Sequence, residues 1–441
     1  MTAFDARFGA MASRSLRPLA LVLCLAIALG RPTGASAQDD LAPEVLAFLE
    51  TFDSLPDRIS NTRAQEALQL HGLSEAEIIP QMIAALQQDY WVLRASAAEV
   101  LGQLRPAATE AVPDLILALS DEAPEVREAA AGALAAMGPG SSDATEALVG
   151  ALEDKDSRVR WQAAAALASL GSEAGSAVPS LVAMLDDRGE EDTVRAAAAS
   201  ALGNIGSDNP TVIPALVDAL DEQGRDIGAF AVQALGKFGE AAEPAIPEII
   251  AALEDQDRPP YTRASAANTL WRLEEASPRA LAAMTKALSD ESHYIRKAMA
   301  QSLGYLGPAA GEAVPDLADA LGDENSSVQQ AAIQALGRIG PAAEEAVPRL
   351  IDLLQDESTE SRSTAAWALG GIGPAAAEAV RALIAALDDE QMSVRWAAAS
   401  ALGKFGPEAW SATTALTEAL EDEDLSVRRA AEEALESIEA E

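Results

Sequence analysis

Two histidines, one cysteine and five lysines limit the chemistry open to this 441-residue chain. His71 precedes Gly72 and His293 precedes Tyr294, so neither belongs to the His-Glu pairs that a di-metal centre needs. Cys24 lies in an N-terminal apolar run, which leaves the rest of the chain without a thiolate nucleophile, a disulfide or a cysteine ligand. Three Asp-x-Asp turns, Asp154/Asp156, Asp255/Asp257 and Asp422/Asp424, have a spacing that could hold calcium weakly, but no Asp-x-Asp-x-Asp-Gly loop occurs. In most of these turns one aspartate sits at a recurring position and the other stands where a helix cap is expected. There is no glycine-rich phosphate loop and no nucleophile elbow. The residues therefore predict no catalysis, no cofactor and no resident metal.

Charge narrows the partners. Asp and Glu number 70 against 31 Lys and Arg, a net charge of −39. Such a charge repels phosphate backbones and anionic lipid surfaces, so nucleic acid and membrane are not expected as partners. The acidity suits either a high-salt habitat or simple solubility. Arg14 and Arg17 precede the apolar run "PLALVLCLAIALG", and "GASA" follows it. That order predicts a secretory signal peptide over residues 1–37, cleaved after Ala37, with translation from Met11 an alternative start and an uncleaved anchor the alternative outcome. The expected location is periplasmic or secreted, with no membrane insertion once the leader is gone.

The elements that must carry any site come from one line written repeatedly. "SRVRWQAAAALASLG" (Ser157 to Gly171) and "SVRWAAASALGKFGP" (Ser393 to Pro407) are two copies. Aligned on the arginine, the copies fall at Arg94, Arg127, Arg160, Arg195, Arg263, Arg296, Arg362, Arg395 and Arg428, with Gly228 and Gln329 in its place elsewhere. The step is 33 residues, except two steps of 35 that carry insertions at "DDRGEEDT" (Asp186 to Thr193) and "DQDRPPYT" (Asp255 to Thr262). A fixed period of this size predicts a solenoid. Each copy holds two helices. The first has a proline in its opening turn, as in "EAVPDLADALGD" (Glu312 to Asp323). The second starts at a cap four residues before the arginine and ends at glycine, often followed by proline. Alanines three and six past the arginine, and Leu or Ile seven and ten past it, make the apolar stripe. Glycines eight past it (Gly203, Gly304, Gly337, Gly403) let neighbouring helices approach. A repeated aspartate (Asp121, Asp154, Asp290, Asp323, Asp356, Asp389, Asp422) sits in the turn between the helices, close to the arginine. We expect a structural ladder of carboxylate–guanidinium bonds between neighbouring repeats, carried by these aspartates and by Arg127, Arg160, Arg296, Arg362, Arg395 and Arg428.

The line "VR.AAA.ALG.IGP.A..AVP.L..AL.D", seen at Val126-Arg127 and from Ala335 to Pro341, resembles HEAT-like repeats of the short, alanine-rich, phycobilin-lyase type. The resemblance implies an all-α fold: a right-handed α-solenoid of about twelve stacked helix pairs, with the second helices lining the concave side. Residues 38–77 read as a degenerate N-terminal capping repeat, and residues 78–441 as the repeat array, closed by an acidic capping helix bearing Glu432 and Glu436. Family relatives include di-metal hydroxylases and DNA-repair glycosylases; the histidine count and the charge argue against both here.

On each second helix, positions one, five and nine past the arginine lie opposite the apolar stripe. Trp161, Lys237, Arg272, Lys297, Tyr305, Arg338, Trp367, Trp396 and Lys404 collect there. Aromatics and long cations on a face the core does not need are what a recognition surface uses; alternatively the tryptophans cover neighbouring helices. The expectation is an exported, non-catalytic scaffold that binds a protein or peptide along this face. The alternative is a lyase-type enzyme or subunit holding a small ligand or chromophore in the groove.

Overall fold

The computed structural model describes residues 43–54, 63–206, 208–220, 227–273 and 278–440. The leader expected over residues 1–37 lies outside the described residues, as do residues 38–42 of the capping repeat. The described residues are helical, without a β-strand, and divide into two units, one ending at Phe238 and one starting at Gly239.

In the first unit, α1 (Pro43–Ser54) pairs with α2 (Arg63–His71), and α3 (Glu75–Ala85) with α4 (Trp91–Gln103). There follow α5 (Val112–Ala118) with α6 (Pro124–Met137), and α7 (Thr145–Ala151) with α8 (Ser157–Leu170). The unit continues with α9 (Val178–Asp186) and α10 (Asp192–Ile205), then α11 (Val212–Leu220) and α12 (Ile227–Leu235). The second unit begins with α13 (Ile246–Glu254) and α14 (Pro260–Arg272), then α15 (Pro278–Lys286) and α16 (His293–Leu306). Next are α17 (Val314–Asp319) with α18 (Ser326–Ile339), and α19 (Val347–Leu353) with α20 (Thr359–Ile372). It ends with α21 (Val380–Ala386) and α22 (Met392–Phe405), then α23 (Thr413–Ala419) and α24 (Leu425–Glu439). Even numbers mark the second helix of each pair.

Helix α18 shows why the boundaries fall where they do. The Asn325 side chain accepts the Ser327 N–H at 3.0 Å, satisfying one of the orphan donors of the first turn. The helix stops at Gly340, whose φ of 74° and ψ of −139° exclude any side chain. A short 3-10 turn, Gly340–Ala346, then delivers the chain to α19, with Pro348 in its opening turn. Ala332, Ala335, Leu336 and Ile339 of α18 are buried. Second helices of successive repeats meet glycine to alanine. A Cβ added at Gly304 would stand 2.8 Å from the Cα of Ala335, and one at Gly370 would stand 2.8 Å from the Cα of Ala401. No side chain fits that crossing.

In most repeats an arginine joins one turn to the next. Arg127 Nε and Nη2 donate to the two oxygens of Asp154 at 2.6 and 2.8 Å, while Nη1 donates to the carbonyls of Asp121 and Glu122 at 2.9 and 3.2 Å. Asp154 also accepts the N–H of Asp156 at 2.9 Å. The same two-oxygen fork joins Arg94 to Asp121, Arg296 to Asp323, Arg362 to Asp389 and Arg395 to Asp422. Arg160 forks instead onto Glu190, supplied by the first two-residue insertion. Arg263 turns its Nε to the carbonyl of Leu253 and reaches Asp290 through Nη2. Gln329 keeps only the bond to its own turn, at 2.8 Å to the Asp323 carbonyl. The Asp356 carboxylate therefore meets the Ser358 N–H and no guanidinium. Arg428 likewise holds only its own turn, through the carbonyls of Asp422 and Glu423.

The forks set the titration of these carboxylates. The guanidinium bond is the largest influence at Glu190, Asp323 and Asp422 and holds each below its ordinary value. At Asp121, Asp154, Asp290 and Asp389 partial burial opposes ionisation most strongly. The arginine and the backbone N–H together outweigh it, so these too lie low. Near the N-terminal pairs the balance reverses. Burial, with Glu99 nearby, raises Asp53 to about 7 against the pull of Arg63 and Ser96. Burial likewise raises Glu128 to about 7, although Arg158 Nη1 stands 3.1 Å from it.

Three outcomes are expected. Gly304→Ala should destabilise by about 1–3 kcal/mol through overpacking, although alanine is the better helix former. Gly150→Ala, with nothing within 4 Å of its added Cβ, should be neutral or stabilising; urea unfolding compares the two. Gln329→Arg should complete the fork to Asp356 and gain about 1 kcal/mol, while Arg296→Gln should cost about 2 kcal/mol by leaving Asp323 without its guanidinium. Stability carried by the low ladder carboxylates is present above about pH 4 and lost as pH falls below it. Asp53 and Glu128 act oppositely, because the folded state keeps protons that the unfolded chain releases; their contribution declines as pH rises from about 4 to about 7. Amide exchange in α1–α6, corrected for intrinsic rates, should be slower at pH 5 than at pH 8.

Candidate partner-binding site

The face opposite the alanine stripe is where the second helices of the second unit carry their long side chains. Trp271, near the end of α14, stacks on Tyr305 of α16 with ring centroids 4.7 Å apart. The Arg338 guanidinium, from α18, lies 4.7 Å over the same tyrosine ring, and Arg272 lies 5.9 Å over Trp271. On α20 the Trp367 ring rests against Gly337 of α18, so that a Cβ on that glycine would come 2.6 Å from the ring edge. The Lys404 stem, from α22, passes Gly370 of α20 at 3.4 Å from the same kind of added atom. Contact thus runs from α14 through α16, α18 and α20 to α22 without a break. Position 371 adds no side chain because a Cβ there would strike the Gly337 carbonyl at 2.2 Å.

Of the residues the sequence singled out, Arg272, Tyr305, Arg338, Trp367 and Lys404 therefore share one strip. Lys297 and Trp396 stand one residue past their arginines, about 12 Å along the helix axis from the positions nine past. They border the strip rather than join it. Trp396 is 42% exposed, whereas Trp367 is half-buried, so the covering role foreseen for the tryptophans applies to Trp367. In the first unit Trp161 is half-buried and already engaged, and Lys237 donates to Asn204. Trp271 was missed because it lies eight past the arginine, the position that most repeats give to glycine. That departure from the repeat was the available signal.

Charge on this face is the reverse of the whole chain. Helices α14, α16, α18 and α22 contain no Asp or Glu, and α20 contains only Glu360, in its first turn. The unit's carboxylates sit on the turns, the first helices and α24. Among the described residues Arg272, Lys297, Arg338 and Lys404 have no carboxylate within ion-pair distance. The ladder arginines Arg263, Arg296, Arg362 and Arg395 do, and so do Lys286 with Glu254 and Arg349 with Asp319, whereas Arg428 on α24 does not. Arg279 and Arg381 are likewise without an ion pair but lie on first helices. A cation in a last helical turn gains from the helix dipole, which accounts for the placement of Arg272, Arg338 and Lys404. It does not account for the rings between them.

The remaining candidates serve the fold. His71 Nε2 and the Thr51 hydroxyl lie 2.8 Å apart, tying α2 to α1, and His293 lies tilted against exposed Tyr294 with centroids 4.1 Å apart. Among the described residues no group of three or more His, Cys, Asp or Glu is placed to hold a metal. One stretch, Thr359–Ala386, passes by length and composition for a membrane span. It is half-buried within the unit and broken at Gly373, where φ is 67° and ψ is −143°.

A family profile described as HEAT repeats matches in overlapping windows from 79–168 to 347–436. No curated protein sequence matches. Among solved structures, importin beta superposes with a TM-score of 0.56 at 16% identity, covering 82% of this chain and 55% of importin beta. Kap95p, in a structure with RanGDP, gives 0.54 at 15% identity and covers 99% of this chain and 67% of its own. The karyopherin Kap121p, bound to the extreme C-terminus of the protein phosphatase Cdc14p, gives 0.53 at 14% identity, covering 98% and 53%. This chain thus spans only about half the length of importin beta and Kap121p. At these identities the likeness concerns the fold: stacked helix pairs forming an α-solenoid. With the profile matched from residue 79 to residue 436 and the helices paired as described, the chain belongs to the HEAT repeat family.

Proposed function

We propose that the protein is a non-catalytic HEAT-repeat scaffold that binds a protein or peptide along the second-helix face of its second unit. The observation that carries this reading is the strip from Trp271 to Lys404, where rings adjoin cations that have no carboxylate partner among the described residues. Exposed cations and aromatics gathered on one face suit a partner that buries them. The solved karyopherins that share the fold bind protein partners in their own structures, which agrees with a scaffold role. Within the family we place the chain with the short, alanine-rich, phycobilin-lyase-type repeats, on its 33-residue line and glycine-proline ends. Export is part of the proposal and rests on the basic and apolar leader before Ala37.

Two measurements test it. Intact mass of protein recovered from the periplasm or medium should show a chain beginning at Gln38; a cell-associated form retaining Met1 or Met11 would remove the export claim. Cross-linked capture from the native envelope should return one protein partner reproducibly. Tyr305→Ala and Trp396→Ala, both at exposed rings, should weaken that capture by about tenfold or more. Their helical melts should move by only about 0.5 kcal/mol in stability. Undiminished capture by both variants would place the binding site elsewhere.

A further inference from the structure

We propose that the strip across α14 to α22 takes an acidic peptide segment in extended form, its carboxylates on Arg272, Arg338 and Lys404 and its apolar side chains against Trp271, Tyr305 and Trp367. This rests on the reading of that face as partner-binding and names the partner's chemistry.

Charge complementarity carries the argument. In a chain of net charge −39, these cations have no carboxylate partner among the described residues, while Arg296, Arg362 and Arg395, one helix end away, are paired. The helices beneath the strip hold a single carboxylate, Glu360 in the first turn of α20, so a carboxylate arriving at the far end of these helices meets mainly cations. The turns around it are densely acidic. A short acidic segment lies within the favourable field, whereas a long, uniformly charged polyanion would run out over the acidic surroundings and be repelled. That favours a peptide over a nucleic acid. The rings favour it too, because the stack of Trp271 on Tyr305 under Arg338 offers apolar edges between the charges, matching a segment whose acidic and apolar residues are interspersed. Arg338 lies over a tyrosine ring and is exposed, and a planar guanidinium suits a bidentate carboxylate contact. Four helix-to-helix steps of about 10 Å each give a strip of about 40 Å, the length of roughly twelve extended residues.

Fluorescence anisotropy with the full chain tests this, using a labelled peptide of about twelve residues in which glutamate is interspersed with phenylalanine. Its lysine-for-glutamate counterpart and a single-stranded DNA of similar length serve as competing probes. The acidic peptide should bind at least about tenfold more tightly than the lysine peptide, and more weakly as salt rises. Arg338→Glu combined with Lys404→Glu should cost at least about tenfold, while Arg381→Glu, reversing an unpaired cation on a first helix, should change affinity by less than about twofold. Circular-dichroism melts of all variants show whether each is folded. Equal loss in Arg381→Glu, tighter binding of the DNA, or tighter binding of the lysine peptide would each overturn the proposal. So would self-association at low salt that Arg338→Glu abolishes, since the occupant would then be a second copy. If the acidic peptide fails while Tyr305→Ala still loses the envelope partner, the binding face stands and only the acidic partner falls.

Discussion

A guanidinium shared between two consecutive inter-helix turns is the contact on which each unit depends. Arginine suits the position because its planar fork spends every direction at once: Nη1 on the carbonyls of its own turn, and Nε with Nη2 on the carboxylate of the next. Taking the charge out of water is costly, so the arrangement holds only because the donors are satisfied together. The aspartate is used twice as well, accepting the fork and the backbone N–H two residues on. One pair of side chains thereby closes a turn and sets the distance to its neighbour. Where two residues are inserted after α9, a glutamate takes over the fork, showing that the charge is retained even when the turn lengthens.

That register brings the second helices close enough for glycine to meet alanine across most of the crossings. Close backbones have a consequence one residue further along. Positions eight and nine past the arginine of one repeat come within side-chain reach of the same positions on the next. The stack of Trp271, Tyr305 and Arg338 is therefore a product of the fold's period, not of any loop built for it. These positions vary while the alanine stripe below them does not, so the face can take on binding chemistry without disturbing the core.

The same division separates charge. Carboxylates crowd the turns, where they cap helices and hold guanidinium groups, and they are nearly absent from α14, α16, α18, α20 and α22. A net charge describes what a molecule repels at a distance; a partner at contact meets the local surface. Here the two have opposite sign.

From sequence alone the period, the two helices per repeat, their caps and glycine stops, and the pairing of arginine with aspartate were legible. Each follows from local spacing: 3.6 residues per turn for the alanine stripe, a cap residue for Asn325, a positive φ for Gly340. The arginine-free repeat at Gln329 was legible in the same way. Which turn each guanidinium reaches was not, nor that Glu190 would replace an aspartate, because both depend on the path of a lengthened turn in space. The binding face was half legible. Helical angle put Arg272, Tyr305, Arg338, Trp367 and Lys404 on one side, but angle on one helix cannot say which residues of different helices touch. Only packing joined those five, added Trp271 from the glycine position, laid Trp367 over Gly337 and left Trp396 and Lys297 at the border. Spacing along a helix is local and readable from the chain; contact between helices is decided by how closely their backbones approach.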